Sequence, residues 1–365
     1  MAGRVGLVSQ ELKDYENHVM KKPSKTLFVF FAIYFLLAMV GICFYLYGQG
    51  ISATYGAILA FILIPIYFSV IYFIDRYEKE PTSLLVISFL WGATFTFAIS
   101  LLLNTILGRW FSDMFGVFPM QIVPQYIAPV VEECAKAIIL FGLFIFVRKE
   151  FNGLVDGIVY ASMVAIGFAM SENIVYYSMN MHDIGRVFYE RGVLSPFAHP
   201  LFTSMTGLGL VFSLKLKSKI GKTIVIISGL FMAILLHSLW NYSLLLGLKY
   251  FHWNYFAIVI PCLIGIGIII RNEWKTETGI ILTYLERDGL NDISREEYDS
   301  WKYRTRTILK DIFTLHFKLA YFRSKYYNAI TELAYAGCHG EPTEHLVSRM
   351  NYYRSMTNEN LKISN

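Results

Sequence analysis

The sequence predicts an all-α protein: a polytopic transmembrane helical bundle of about eight spans with a C-terminal cytoplasmic helical appendage. Hydrophobic residues make up 55% of the 365 residues, and the mean hydropathy is +0.47. Only 16% of the residues are charged, whereas a soluble globular domain carries about 25%. The apolar residues also gather into runs of about 17–25 residues, the length that crosses a bilayer as a helix. Together these observations predict an integral membrane protein.

Apolar runs give the predicted spans. In chain order they are 26–47, 53–74, 82–107, 124–147, 153–179, 196–214, 223–247 and 254–270. Residues 1–25 are polar and form a predicted cytoplasmic N-terminal segment. The run that follows has no small-residue cleavage site, so we expect a retained first helix and not a signal peptide. The transmembrane domain is therefore expected to occupy residues 26–270.

The basic residues predict the orientation of the bundle. If the N-terminus is inside, most Lys and Arg fall in cytoplasmic segments, and the outer loops hold only Arg109, Arg186, Arg191 and Lys249. Cytoplasmic loops of membrane proteins carry this excess, so we expect a multi-pass protein of the cell (plasma) membrane with both termini cytoplasmic. The formal net charge of +5 is modest, and nucleic-acid binding is not expected.

Residues 271–365 differ in composition, since they are polar and Tyr-rich and hold 14 Lys and Arg. Apolar residues step through this tail by three and four, which predicts an amphipathic helix. They are Ile308, Ile312, Leu315, Leu319, Phe322 and Tyr326. Gly337 is the expected end of that helix. We expect a cytoplasmic helical tail that packs on the membrane domain, on a partner or on itself.

Glu132, Glu133 and Lys136 lie inside the apolar run 124–147. A charged side chain at mid-membrane costs roughly 3 kcal/mol on insertion scales, so a functional role is expected. Lys136 follows Glu132 by four residues and Glu133 by three, so either carboxylate can share its helix face and pair with it. Only one of them can be fully neutralised in this way. The other stays available for a proton, a metal or a water.

Other polar side chains within the spans converge on the depth of this motif. At about 1.5 Å per residue, Glu132, Glu172 and His199 lie roughly 5–14 Å from the outer ends of their spans. By the same rise, His237 and Asn241 lie roughly 9–15 Å from the outer end of theirs. All five fall in the outer half of a hydrocarbon core about 30 Å thick. The sequence therefore predicts one shared site.

The residue types at this depth favour chemistry on water. His237 and Asn241 are four residues apart and share a helix face, so both are expected to hold one water or one metal. Glu and His in a dry pocket are ligands for zinc, and a spare carboxylate beside the water acts as general base. The expected catalytic residues are Glu132, Glu133, Lys136 and Glu172. The expected metal ligands are His199, His237 and Asn241, with Glu172 as a further candidate, and Zn²⁺ is the expected cofactor.

Five motifs in this order resemble the PrsW family of intramembrane proteases, relatives of the type II CAAX prenyl-protease (ABI) superfamily. They are Asp75-Arg-Tyr-Glu-Lys-Glu-Pro81, Glu132-Glu133-Cys-Ala-Lys136, Asp156-Gly157 with Gly167-Phe-Ala-Met-Ser-Glu172-Asn173, His199-Pro-Leu-Phe-Thr-Ser-Met-Thr-Gly-Leu-Gly209 and His237-Ser-Leu-Trp-Asn241. A single motif of this kind is weak evidence, whereas five in sequence are specific.

The resemblance implies an intramembrane metalloprotease that hydrolyses a peptide bond of a membrane-anchored protein, such as an anti-sigma factor. It implies that Glu132 or Glu133 is the general base and that His237 and Asn241 help to hold the water or metal. Glu172 stands where the CAAX branch has a histidine, which changes the ligand set.

Two other classes of function stay open on the residues alone. Intramembrane Glu, Lys and His also form the ion relays of proton-coupled transporters. A transporter of that kind is expected to show helices broken at matching positions, and Pro65 in the second span has no clear counterpart. A non-catalytic receptor or scaffold would act through its tail. That class predicts loss of function on deletion of the tail but not on Glu133→Ala.

Overall fold

The computed structural model of the protein describes residues 50–77, 79–245, 255–287, 293–338 and 343–364. Nearly all of these residues are helical, and no β-strand occurs among them, which confirms the all-α class. The α-helices are α1 Ile51–Ile74, α2 Thr82–Trp91, α3 Phe97–Phe115, α4 Pro119–Ile122, α5 Ala128–Phe146, α6 Leu154–Met179, α7 Ile184–Phe188, α8 Ala198–Leu214, α9 Lys219–Leu245, α10 Ile260–Arg287, α11 Arg295–Lys302, α12 Arg304–Phe313, α13 Phe317–Cys338 and α14 Glu344–Ser364. Single π-helical turns occupy Gly92–Thr96, Val123–Ile127, Tyr189–Leu194 and Tyr255–Val259.

Six segments of the described chain are long and apolar enough to cross a membrane. They are Ile51–Ile74, Thr82–Phe115, Leu154–Met179, Met181–Leu214, Lys219–Ser243 and Phe256–Glu286. The predicted span 26–47 lies outside the described residues. The predicted span 124–147 forms the π turn Val123–Ile127 and α5. It is not one of the six segments because it contains three charged residues, whereas the most apolar stretch of each of the six contains at most two.

The central helix of the membrane-spanning part is α6, of whose most apolar stretch 94% is buried. It packs against α1, α2 and α8, and glycines bring its backbone into direct contact with two of these neighbours. A Cβ atom on Gly207 of α8 would lie 2.0 Å from the Gly157 carbonyl oxygen, and one on Gly167 would lie 2.0 Å from the Phe89 carbonyl oxygen. Small residues permit this close approach in membrane bundles.

The acidic loop before α2 lies at the opposite end of α6 from Glu172. Asp156 and Glu172 are separated by roughly 24 Å along the helix, at about 1.5 Å per residue. Asp156 accepts hydrogen bonds from the backbone N–H groups of Asn152 (2.8 Å) and Gly153 (2.6 Å), and thereby caps α6. The Tyr160 hydroxyl donates to Glu80, and burial raises the pKa of Glu80 to about 10. This cluster therefore fixes a helix end and is remote from Glu172.

The chain divides between Glu273 and Trp274 into two compact units. We call the described residues of 50–273 the membrane unit and those of 274–364 the tail unit. Within the tail unit, Trp301 is fully buried and its indole N–H donates to Thr331 Oγ1 at 3.1 Å. Arg354 on α14 pairs with Glu297 on α11 at 2.7 Å. The tail unit thus has its own core and its own ion pair.

The amphipathic helix predicted across residues 308–326 is interrupted, and the prediction of one continuous stripe is wrong there. Leu315 lies between α12 and α13 with a φ of 61°, in the left-handed region. Its N–H bonds to the Ile312 carbonyl at 3.0 Å, and the His316 N–H bonds to the Asp311 carbonyl at 2.8 Å. This pair of bonds is the Schellman motif, in which glycine is the usual left-handed residue. The helix after the turn ends at Cys338, one residue beyond Gly337.

The glycine contact between α6 and α8 generates a stability prediction. Gly207→Ala should destabilise the protein by about 2 kcal/mol, because a methyl group would overlap the Gly157 backbone. Gly142→Ala on α5 is the matched control, since no atom of the described residues lies within 4 Å of a Cβ atom there. Thermal unfolding in detergent should show a lower Tm for the first variant only. Equal Tm values would contradict the close packing.

Candidate active site

Helix α5 places a charged triad in the interior of the membrane unit. Glu133 and Lys136 are both fully buried, and Glu132 is 6% exposed. The Lys136 Nζ atom lies 2.8 Å from Glu133 Oε1 and 4.2 Å from the centroid of the Phe168 ring. Of the two carboxylates that can pair with this lysine on spacing grounds, Glu133 is therefore the one that does so.

Glu133 also holds the histidine of α9. Its Oε1 atom lies 3.0 Å from His237 Nδ1, and its Oε2 atom accepts a hydrogen bond from Thr203 Oγ1 at 2.9 Å. A carboxylate at Nδ1 favours a proton on that nitrogen and leaves a lone pair on Nε2. The Nε2 atom of His237 lies 3.8 Å from Glu132 Oε2. The imidazole is thus oriented with its basic nitrogen on the side of Glu132.

Glu132, His199 and His237 form a group that can hold a metal ion. One ligand atom from each lies within 4.8 Å of the other two. The Oε2 atom of Glu132 is buried and has no hydrogen-bond partner among the described residues, whereas Oε1 accepts a 3.4 Å bond from Asn104 Nδ2. Two His and one Glu are a ligand set of catalytic zinc sites, which keep a fourth position open. The donor set and the unpartnered oxygen therefore fit a zinc ion.

Glu172 is held by a different set of contacts. Its Oε2 atom lies 3.0 Å from His199 Nε2, and it forms an ion pair with Arg191 of the π turn Tyr189–Leu194. The Arg191 Nε atom donates to Asn173 Oδ1 at 2.7 Å, and the guanidinium lies over the Tyr176 ring at 3.9 Å. Glu172 is therefore placed to orient His199, and its charge is compensated by an arginine.

Asn241 lies beside the metal-binding group. Its Nδ2 atom donates to the carbonyl oxygen of Pro124 at 2.7 Å, so the amide is anchored to the π turn that precedes α5. The structure thus places Asn241, which the sequence predicted as a metal ligand, in a bond that links α9 to the start of α5.

Some of these side chains border a cavity of about 570 Å³. It is lined by Glu132, Glu172, His199 and Asn241, together with Arg191 and further polar and apolar side chains. A volume of this size lies within the range of sites for small molecules and short chain segments. Of the two carboxylates on α5, only Glu132 borders the cavity, which gives it access to water and to a bound chain.

Arg191 and Asn104 were not predicted as site residues. The sequence predicts that Arg191 lies in an outer loop, because it falls between the predicted spans 153–179 and 196–214. A carboxylate inside a span, such as Glu172, requires a cation nearby, and that requirement is the one signal in the sequence that points to a nearby arginine. Asn104 lies 28 residues before Glu132, so no local pattern links them, and only the folded chain brings the two together.

Comparison with known proteins gives consistent results. A family model described as PrsW family intramembrane metalloprotease matches residues 80–266. Protease PrsW of Clostridioides difficile (strain 630) is 36% identical over 134 residues, which are 36% of this chain and 55% of that protein. Protease PrsW of Geobacillus kaustophilus (strain HTA426) is 29% identical over 140 residues, 38% of this chain and 58% of that protein.

A third relative, Protease PrsW of Halalkalibacterium halodurans, is 29% identical over 181 residues, which are 49% of this chain and 79% of that protein. The chain thus spans little more than half the length of the first two relatives. No solved structure is significantly similar to it. The family match includes α5, α6, α8 and α9, which carry the charged triad, both histidines and Glu172. Because that match covers more than half of the residues, the chain belongs to the PrsW family of intramembrane metalloproteases.

Proposed function

We propose that the chain is a membrane-embedded peptidase that hydrolyses a peptide bond of a membrane-anchored protein. The observation that carries this proposal is the grouping of Glu132, His199 and His237 inside an apolar helical bundle, where Glu132 and His199 border a cavity. Peptide hydrolysis at this depth requires a site that holds a water and moves its protons, because bulk water is excluded from the hydrocarbon core. The curated relatives bear the name Protease PrsW, in agreement with this chemistry.

Glu132, His199 and His237 would hold the metal, which we propose to be Zn²⁺. When bound, zinc lowers the pKa of a coordinated water to near 7 and polarises a carbonyl group. Glu132 is also the proposed general base: one of its carboxylate oxygens would hold the metal and the other would take the proton of the water, since the side chain borders the cavity. A base within hydrogen-bond reach of water takes its proton and passes it to the leaving amine.

The remaining charged residues are proposed to position this group. Glu133 fixes the ring of His237, and Lys136 compensates the charge of Glu133. Glu172, compensated by Arg191, fixes the ring of His199. Second-shell carboxylates of this kind raise the basicity of histidine ligands and set their tautomer.

The proposed setting is the cell membrane, with both termini cytoplasmic. The topology comprises eight spans: the six qualifying segments, α5, and the run 26–47. The N-terminal segment 1–25 and the tail 271–365 are proposed to flank a protease domain at 26–270. A single-span regulator such as an anti-sigma factor is the proposed substrate.

Loss of the base should abolish cleavage. Glu132→Gln and His237→Ala should each reduce cleavage by about 100-fold or more, because the first removes the base and the second a ligand. Cys134→Ala is the matched control, since Cys134 lies on the same helix but is exposed. The assay co-expresses each variant with tagged single-span membrane proteins and identifies fragments by mass spectrometry. Equal fragment yields from the parent and Glu132→Gln would refute the assignment and favour the scaffold class.

Elemental analysis tests the ligand set without a substrate. The detergent-purified parent should contain about one zinc per chain, whereas His199→Ala and His237→Ala should lose it, because each removes one of three ligands. Asn241→Ala should retain zinc, since the Asn241 amide bonds to the Pro124 carbonyl. His182→Ala, at an exposed histidine, controls for adventitious binding. Zinc that persists in both histidine variants would contradict the proposed site.

Arg191 should matter for cleavage although it is not a metal ligand. Arg191→Gln should lower the cleavage rate by about 10- to 100-fold, because Glu172 would lose its cation and its hold on His199. Arg109→Gln is the control, since Arg109 is exposed on α3 and does not line the cavity. Similar rates for the two variants would mean that the Arg191 ion pair does not support the site.

A further inference from the structure

The exposed apolar side chains of the tail unit are confined to one place. Among the tail side chains that the structure describes, every large apolar one that is exposed lies between residues 303 and 321. These residues are Tyr303 (62% exposed), Ile312 (38%), Phe313 (82%), Leu315 (73%), Phe317 (61%) and Tyr321 (56%). We call them the turn patch, because four of the six, Ile312, Phe313, Leu315 and Phe317, lie at the turn between α12 and α13. Such a concentration of exposed apolar side chains marks an interaction surface.

Leu315 has an unfavourable backbone conformation, and burial of its side chain within the protein does not offset the energetic cost. It occupies the left-handed position of the Schellman motif, where a Cβ atom is crowded and glycine is favoured. A leucine there is ordinarily expected to bury its side chain and so offset the strain. Its side chain is instead 73% exposed. The side chain is therefore presented to something outside the tail unit.

The turn that presents these side chains is held firmly. The Leu315 and His316 N–H groups bond to carbonyls of α12, and Thr314 Oγ1 donates to the Lys310 carbonyl at 2.9 Å. Arg323 on α13 pairs with Asp311 on α12 at 2.7 Å, across the turn. The patch is thus pre-organised, and little conformational entropy is lost when it binds.

The charge around the patch is almost entirely positive. Residues 302–325 contain seven Lys and Arg and a single acidic residue, Asp311. Asp311 is buried and pairs with Arg323, so these two charges cancel. Six cations remain, and they are Lys302, Arg304, Arg306, Lys310, Lys318 and Lys325. A surface complementary to the turn patch is therefore both apolar and anionic.

We propose that the turn patch docks on the surface of a bilayer that contains anionic phospholipid. Phe313, Leu315 and Phe317 insert at the boundary of headgroups and acyl chains, and lysines such as Lys310 and Lys318 contact the headgroup phosphates. Apolar and aromatic anchors ringed by Lys and Arg are the composition of interfacial membrane segments. Protein interfaces are instead depleted of lysine. The inference is independent of the proposed peptidase activity.

Limited trypsin digestion of the full chain tests this proposal. The protein is placed in nanodiscs of phosphatidylcholine alone or with about 30% phosphatidylglycerol, and cleavage after Lys310 and Lys318 is followed by mass spectrometry. Anionic nanodiscs should slow both cleavages about fivefold, and about 0.5 M NaCl should remove much of the effect by screening. Cleavage after Lys362, exposed at the end of α14, serves as an internal control and should not change.

A variant separates the apolar part of the binding from the charge. Phe313→Ser with Leu315→Gly and Phe317→Ser removes three exposed side chains, and glycine suits the left-handed backbone, so the tail should stay folded. Its protection in anionic nanodiscs should be lost.

Fast cleavage of the parent in all nanodiscs would overturn the proposal. Equal protection with and without anionic lipid, or in detergent, would also overturn it and indicate coverage by protein, either this chain or a second copy. If the variant were protected from trypsin as well as the parent is, insertion of the turn into the bilayer would be excluded.

Discussion

The buried ion pair between Glu133 and Lys136 is the interaction on which the site depends. Both side chains are fully buried, and an uncompensated charge in such a place is strongly destabilising. Helix α5 can therefore lie among apolar helices only with this pair formed. The pair also separates two neighbouring carboxylates. Glu133 is bound by Lys136, Thr203 and His237, whereas Glu132 borders the cavity and has one oxygen without a hydrogen-bond partner in the described part of the chain.

The contact between Glu172 and His199 depends on the packing of helix backbones. Glu172 lies on α6 and His199 on α8, and these helices touch at Gly157 and Gly207. A 3.0 Å contact between side chains tolerates little movement of the helices that carry them. Water does not drive helix association within a bilayer, so close packing of small residues provides this rigidity.

Features that depend on residues close together in the sequence could be predicted from it. Apolar runs located α1 and α6 within a few residues, because a bilayer fixes the length of a span. The constant rise per residue of a helix predicted that Glu132 and His237 lie at the same depth, and the structure brings them together. The sequence could not show whether Glu132 or Glu133 pairs with Lys136, because spacings of four and three residues both allow an ion pair on a helix. The helix break at Leu315 was missed, because no glycine or proline signals it.

The π turn Val123–Ile127 has a consequence for the comparison of related chains. A π turn holds one more residue than an α turn would in the same place, so it is a single-residue insertion in a helix. Here it lies directly before α5, and its Pro124 carbonyl receives the Asn241 amide. A homologue without this extra residue should align with a one-residue gap inside 123–127 and with no shift in the motifs on either side. That gap would tell which homologues lack the Asn241 anchor.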